Sequence, residues 1–427
     1  MSELEKAEQK NFEQQDLKSF EGGESSEETF IEVGHYQVCK AHQVAPGDMF
    51  MSKKNPSDGR IITTLSDGLG SGIKANVLAT LTATMATQFV AADIPIKRAA
   101  EIIMNTLPVC KERGISYATF TLVDVEPNSN ARIIEYDNPP YILVRSQEVI
   151  DPIKEQYTIE RKNKKSAPKR EANLYYSSYM TKPGDRIIFF SDGVTQAGMG
   201  SSENPFGLGF EKAQDFVMEK IRKEPEISAR NLAHSLVSYA LSFDKFSAKD
   251  DITCGVIYFR EPRELLIVSG PPLNPKNDAE FAYLFESFNG KKIICGGTTA
   301  NIISRQLNRE IKMDLKDFTP NIPPSAKMEG CELVTEGIIT LGKVAELLEN
   351  DAGMEKFSFQ ANLNAATKIL NLILDSDRIK FMVGTKINEV HQDPNMPVEL
   401  EIRRNVVKRI AEILQEKYLK EVSIKYI

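Results

Sequence analysis

Histidine is scarce in this chain: four among 427 residues (His35, His42, His234, His391), no two at the i, i+4 spacing of a helical metal pair. Histidine-centred chemistry is therefore disfavoured. The five cysteines (Cys39, Cys110, Cys254, Cys295, Cys331) are odd in number, widely spaced and without a C-x-x-C pair. That pattern excludes a disulfide scaffold and speaks against zinc. Positive charge is not in excess either, since 53 Lys+Arg face 60 Asp+Glu for a net charge of −7. A nucleic-acid backbone would find little to attract it, and no nucleic-acid partner is expected. Long apolar runs are missing: the greasiest stretch, residues 77–94, is broken by Thr80, Thr82, Thr84, Thr87, Gln88 and Asp93, so no membrane span is expected. The N-terminus opens on charges where a secretory signal needs an apolar core, and the expected location is cytoplasmic.

What is present is ordinary globular composition, 41 % hydrophobic and 26 % charged, over a length that favours two domains. Residues 1–29 are rich in Glu, Gln, Ser and Lys and read as an acidic mobile arm, with a partner-binding helix over 4–20 as the alternative. Strand-like runs follow at 30–40, 60–65, 117–124, 132–137, 141–145, 186–191 and 252–260. Helical patterns lie at 73–92, 96–113, 210–223 and 228–243. Clustered strands with helical pairs between them suit an α+β sandwich over residues 30–262. The basic stretch 154–169 reads as a solvated loop, or else a flap that steers anions. Beyond Glu261-Pro262 strand and helix alternate: strands at 265–268, 292–295, 379–383 and 422–426, helices at 341–350, 361–374 and 399–418. Residues 263–427 are thus expected to form a smaller α/β domain, Rossmann-like in outline.

Four aspartates share one local signature, the end of an apolar run or a tight turn. They are Asp48 in Pro46-Gly47-Asp48, Asp67 in Leu65-Ser66-Asp67-Gly68-Leu69-Gly70, Asp192 in Phe190-Ser191-Asp192-Gly193, and Asp250 in Asp250-Asp251-Ile252-Thr253. Carboxylates held rigidly at strand ends repel one another if they converge, unless cations lie between them. An acidic, nearly histidine-free set suits hard Mg²⁺ or Mn²⁺ and suits Zn²⁺ poorly. Gly68 lacks a Cβ, which lets its carbonyl approach a metal.

In order and spacing these motifs resemble those of the metal-dependent PPM (PP2C-like) Ser/Thr protein phosphatases, the bacterial branch typified by the sporulation stage II E phosphatase. The resemblance covers about residues 30–260. It implies a PP2C-like αββα sandwich with two Mn²⁺ or Mg²⁺ between its sheets, and a water activated between those ions that attacks phosphorus directly. It also implies that Asp67 bridges both ions, that the Gly68 carbonyl and Asp48 serve one of them, and that Asp192 and Asp250 hold the other. Asp67, Asp192 and Asp250 are the catalytic set on this reading. The implied substrate is a phospho-Ser/Thr regulatory protein resembling an anti-sigma antagonist; a small-molecule or nucleotide phosphatase, or a ligand-sensing module, is the alternative. Eukaryotic relatives often carry His where Leu69 stands, so the resemblance leaves a metal-bound water, or a neighbouring acid such as Asp251, to protonate the leaving group. Asp137-Asn138-Pro139-Pro140 reads as a turn near the site, with substrate orientation by Asn138 as the alternative. Residues 73–92 would match a regulatory switch helix, or simply pack on the sheet.

In the C-terminal part, Cys295-Gly296-Gly297-Thr298 carries an apolar strand into a helix whose free N–H groups could hold an anion. Gly296, Gly297 and Thr298 are the candidate contacts. Ser269-Gly270-Pro271-Pro272 and the stretch containing Thr335, Glu336 and Gly337 would line the same crevice. The alternative is a scaffolding or homodimerisation role.

Overall fold

A computed structural model describes residues 29–55, 59–70, 72–107, 118–126, 130–161, 170–314, 322–350, 364–386 and 398–427. The expected N-terminal arm lies, but for Thr29, outside these residues. The chain divides into two compact units, one ending at Glu261 and the other running from Pro262 to Ile427.

The first unit opens with β1 (Phe30–Val38), β2 (Asp48–Lys54) and β3 (Ile61–Gly68), then α1 (Ile73–Ala91) and α2 (Ile96–Thr106). Next come β4 (Ala118–Val125), β5 (Asn130–Tyr136), β6 (Ile142–Arg145), β7 (Glu148–Ile150), β8 (Glu155–Arg161), β9 (Arg170–Met180) and β10 (Arg186–Phe190). It closes with α3 (Asp192–Gln196), α4 (Phe210–Lys223), α5 (Ala229–Phe243) and β11 (Ile252–Arg260). One antiparallel sheet runs β1-β11-β10-β6-β7, the other β2-β3-β4-β5-β9-β8.

Three apolar layers show how these pieces stack. Ile61, Leu65, Ile133, Phe189 and Ile257 pack between the two sheets. Val217, Leu232 and Leu236 of α4 and α5 cover Ile188 and Val256 on the outside of the first sheet. Ala86, Val90 and Ile103 of α1 and α2 cover Ile62 and Phe120 on the outside of the second. The order is helix, sheet, sheet, helix. Because each sheet is covered on both faces, β11 is buried at all nine positions and reads as a continuous apolar run rather than an alternating one.

Along β3 the period of two sorts the side chains. Ile61 and Leu65 face the other sheet, while Ile62 and Thr64 face α1, where Thr64 Oγ1 lies 3.0 Å from Thr87 Oγ1. Asp67 therefore continues the inter-sheet row and Gly68 the helix row. A Cβ on Gly68 would sit 2.2 Å from the Ala75 carbonyl oxygen, so only glycine lets α1 lie this close. The buried face of α1 is correspondingly small (Ala75, Ala79, Ala83, Ala86), and its larger apolar residues Ile73, Val77 and Leu81 are exposed.

Two expectations change here. The basic stretch 154–169 is not simply a loop: residues 155–161 are β8, paired with β9 from Glu155↔Tyr176 to Arg161↔Arg170, and 162–169 lie outside the described residues. The strands β2 and β9 carry too few apolar residues to show in periodicity (Asp-Met-Phe-Met-Ser-Lys-Lys in β2) and form because their neighbours offer unpaired edges.

The second unit contains β12 (Glu264–Ser269), α6 (Asp278–Ser287), β13 (Lys291–Cys295), α7 (Gly297–Leu307), β14 (Lys312–Asp314), β15 (Ser325–Met328) and β16 (Cys331–Thr335). Then follow α8 (Ile338–Glu349), α9 (Ala365–Asp375), β17 (Arg378–Val383), α10 (Val398–Glu416) and β18 (Glu421–Tyr426). The sheet order is β14-β15-β16-β13-β12-β17-β18. The last five of these are mutually parallel, and β14 and β15 add an antiparallel edge that simple strand–helix alternation did not anticipate. Helices cover both faces, α8 to α10 on one and α6 with α7 on the other. Among the described residues no helix is long and apolar enough to cross a membrane, and Cys39, Cys254, Cys295 and Cys331 form no disulfide.

Candidate metal centre

Asp48 opens β2 and stands directly opposite Asp67 in the ladder with β3. Residues so paired share a face, and two like charges there destabilise a sheet. Asp48 is 2 % exposed. Its Oδ2 accepts a 2.6 Å hydrogen bond from Thr253 Oγ1 on β11, so both sheets hold this carboxylate. Asp192 is the first residue of α3, and its Oδ2 accepts from Gln196 Nε2 at 2.6 Å. Asp67 and Asp192 lie near enough for each to act on the other's proton affinity. Asp250 is more open, with Lys40 Nζ 3.5 Å from its Oδ1.

The electrostatics follow from burial and crowding. Burial pushes the Asp48 carboxyl up to about 8; hydrogen bonds from Thr253 and Ser191 pull it down, and the charges of Asp251 and Asp192 raise it again. Asp67 is raised well above the usual carboxylate range, by burial first and then by Asp48, Asp192 and Asp250. Asp192 is raised by burial, then by Asp250, with Asp137 adding to it. Each of the three thus holds a proton more tightly than a free carboxylate does. Among the described residues, no three His, Cys, Asp or Glu side chains are gathered to hold an ion as they stand. Their chemistry nevertheless fits a hard divalent ion: oxygen donors alone, mostly buried, and mutually repelling when charged.

The backbone around these aspartates is tightly packed. A Cβ on Gly193 would lie 2.0 Å from the Asp251 carbonyl oxygen, so the start of α3 meets β11 only through glycine. Asp251 is 4 % exposed, and its carboxylate oxygens accept from the backbone N–H groups of Lys40 at 2.9 Å and Gly47 at 2.8 Å. It pins the turn that delivers Asp48. With both oxygens committed, it is placed as a loop clamp and not as the acid for a leaving group. Asn138 is likewise occupied: its Nδ2 donates to Thr121 Oγ1 at 3.1 Å and its Oδ1 accepts from Thr119 Oγ1. These bonds tie the turn after β5 to β4.

Sequence reasoning missed three contributors. Thr253 was inside the fourth motif, but only the folding of β11 against β2 brings its hydroxyl to Asp48. Lys40 carried no signal beyond its charge, and Asp137 entered only as part of a turn near the site. Asp137 is held at φ 58°, in the left-handed region, at the turn after β5. Gly296, Gly297 and Thr298 belong to the second unit, at the start of α7.

Residues 57–260 match the family model of the stage II sporulation protein E. That span is a little under half of the chain. Among solved structures, the PP2C phosphatase domain with a fragment of the regulatory domain of SpoIIE from Bacillus subtilis is 19 % identical at TM-score 0.42. The match covers 55 % of this chain and 64 % of that one. The RsbU and RsbW domains of a Mycobacterium tuberculosis protein are 17 % identical at TM-score 0.41, over 60 % of this chain and 68 % of theirs. A serine/threonine phosphatase from S. agalactiae is 14 % identical at TM-score 0.38, over 54 % of this chain and all of its own. No curated protein matches the chain.

Proposed function

We propose that the first unit hydrolyses phosphoserine or phosphothreonine on a regulatory protein resembling an anti-sigma antagonist, using two Mn²⁺ or Mg²⁺ held by Asp48, Asp67, the Gly68 carbonyl, Asp192 and Asp250. The observation that carries this reading is the placement of Asp48 directly opposite Asp67, two buried carboxylates next to each other, the second of them in the stretch that matches the stage II sporulation protein E model. Bound divalent cations would neutralise phosphoryl oxygens and acidify a water. The chain's own contribution is positioning. Thr253 donates to Asp48 and favours its charged, ion-binding form. Gln196 orients Asp192, and Asp251 fixes the Gly47-Asp48 turn. The second unit's doubly wound, Rossmann-like character is part of the same proposal and rests on its parallel strand order.

Hydrolysis of a phosphothreonine peptide, with Mn²⁺ or with a chelator, tests the reading in the native chain, Asp67→Asn and Asp192→Asn. Turnover that needs the metal and falls at least about 100-fold in both variants is expected, since electrostatic stabilisation is the main catalytic term. Turnover indifferent to metal, or retained in both variants, would overturn it.

A further inference from the structure

Among the described residues of the second unit, five buried side-chain polar atoms have no hydrogen-bond partner; Arg404 Nε lies on α10, and the other four lie where parallel strands end: Ser269 Oγ, Thr299 Oγ1, Glu336 Oε2 and Thr340 Oγ1. Ser269, Cys295 and Thr335 are the last residues of β12, β13 and β16 and are in register across the three adjacent strands. The helices that follow two of these strands start alike. In α7 Gly296 is the N-cap and Thr299 the third residue; in α8 Gly337 is the N-cap and Thr340 the third. Neither helix has a side-chain cap. The usual reciprocal use of a third-position side chain, to accept from the N-cap N–H, is closed at α7 because Gly296 N–H already donates to the Thr335 carbonyl at 2.8 Å. Thr299 and Thr340 are nevertheless 1 % and 0 % exposed, and Ser269 is 0 % exposed. A buried hydroxyl left unpaired costs about 1–3 kcal/mol, so three of them in one place are features a ligand would repair.

The two helix starts lie side by side: a Cβ on Gly337 would be 3.6 Å from Gly296 Cα. Two uncapped N-termini with hydroxyls beneath them favour a phosphate group. Glu336 stands between them as an acceptor with nothing to accept from, and it would repel a bare anion. It needs a donor, which a hydroxyl of the same ligand supplies. The crevice spans three strands, about 10 Å at the usual strand spacing. The neighbouring gap between β12 and β17, where the strand order reverses, is closed: a Cβ on Gly384 would sit 2.0 Å from the Pro271 carbonyl oxygen, and Arg403 Nη1 is 2.6 Å from a Cβ on Gly270. At the start of α7, by contrast, a Cβ on Gly297 would meet nothing within 4 Å.

We propose that the second unit binds a phosphorylated, hydroxyl-bearing small molecule across the ends of β12, β13 and β16, its phosphate on the starts of α7 and α8 and a hydroxyl on Glu336. Ribonucleotides and sugar phosphates share this chemistry. The test is calorimetric titration of the full chain, in chelator so that nothing is hydrolysed, with AMP, ADP, ribose 5-phosphate, glucose 6-phosphate, inorganic phosphate and adenosine. Expected is saturable binding of at least one phosphate ester, tighter than phosphate or adenosine, with AMP and ADP separating the nucleotide source from the sugar-phosphate source. Thr299→Val and Thr340→Val should each weaken it about tenfold, the worth of one hydrogen bond to a charged group, while leaving Tm unchanged or raised because a methyl replaces an unpaired hydroxyl. Glu336→Gln should weaken the ester but not inorganic phosphate. Absence of binding by every probe up to about 10 mM, affinity equal in all variants, or phosphate binding as tightly as its esters would overturn the proposal.

Discussion

Asp251 and Asp48 show how far two neighbouring carboxylates can differ in role. Asp251 accepts two backbone N–H groups and is a clamp; Asp48 accepts the Thr253 hydroxyl and remains free to exchange a proton for a cation. Asp251→Asn replaces one acceptor by a donor facing a backbone N–H, and should lower stability by about 1–3 kcal/mol in urea unfolding. It should weaken Mn²⁺ binding while leaving the pH profile of kcat in place; loss of one limb of that profile would restore Asp251 as an acid. Proton linkage at Asp48 yields a second test. Its folded-state value of about 8 lies above the ordinary 3.8, so between about pH 4 and 8 the native state keeps a proton that the unfolded chain has lost. Stability of the metal-free protein should be greatest at low pH and fall as pH rises through this window, by up to about 1.4 kcal/mol per unit for such a group. Urea midpoints at pH 5, 6.5 and 8 in chelator measure the slope, and Mn²⁺ should flatten it.

Among the elements, α1 is the one whose packing bears directly on the site. It rests on β3 through alanines and meets Gly68 by backbone, one residue past Asp67. Ala79→Leu would drive a larger side chain into a face that is 0 % exposed, at a cost of about 1–3 kcal/mol, and should reduce Mn²⁺-dependent turnover by displacing the helix from Gly68. Leu81→Ala, on the exposed face at 45 %, should change stability by under about 0.5 kcal/mol. Equal effects in thermal unfolding would mean that the exposed stripe is covered in solution.

For the whole molecule, every candidate phosphatase residue falls before Glu261, inside a unit with its own three apolar layers. A chain ending at Glu261 should therefore fold, bind Mn²⁺ and hydrolyse p-nitrophenyl phosphate, read by its CD melt and by rates with and without chelator. The second unit has apolar cores on both faces of its own sheet and should give a separate cooperative melt unaffected by chelator.

The sequence alone determined the elements whose signal is local. Long helices such as α5 show a 3.6-residue apolar period, doubly covered strands such as β10 and β11 show unbroken apolar runs, and three of the four aspartate motifs place the Asp next to a glycine. It also made the chemistry of the site legible, because residue type and scarcity of histidine limit the donors to oxygen. Tertiary structure alone decided the rest. Whether β2 and β9 are strands depends on neighbours that accept their backbone groups, and β-pairing joins residues far apart in the chain. That Asp251 is a clamp, that Thr253 serves Asp48 and that three hydroxyls lie unpaired at the ends of β12, β13 and β16 are facts of contact across 200 residues or across adjacent strands. No periodicity encodes them, because a hydrogen bond depends on where its partner arrives in space.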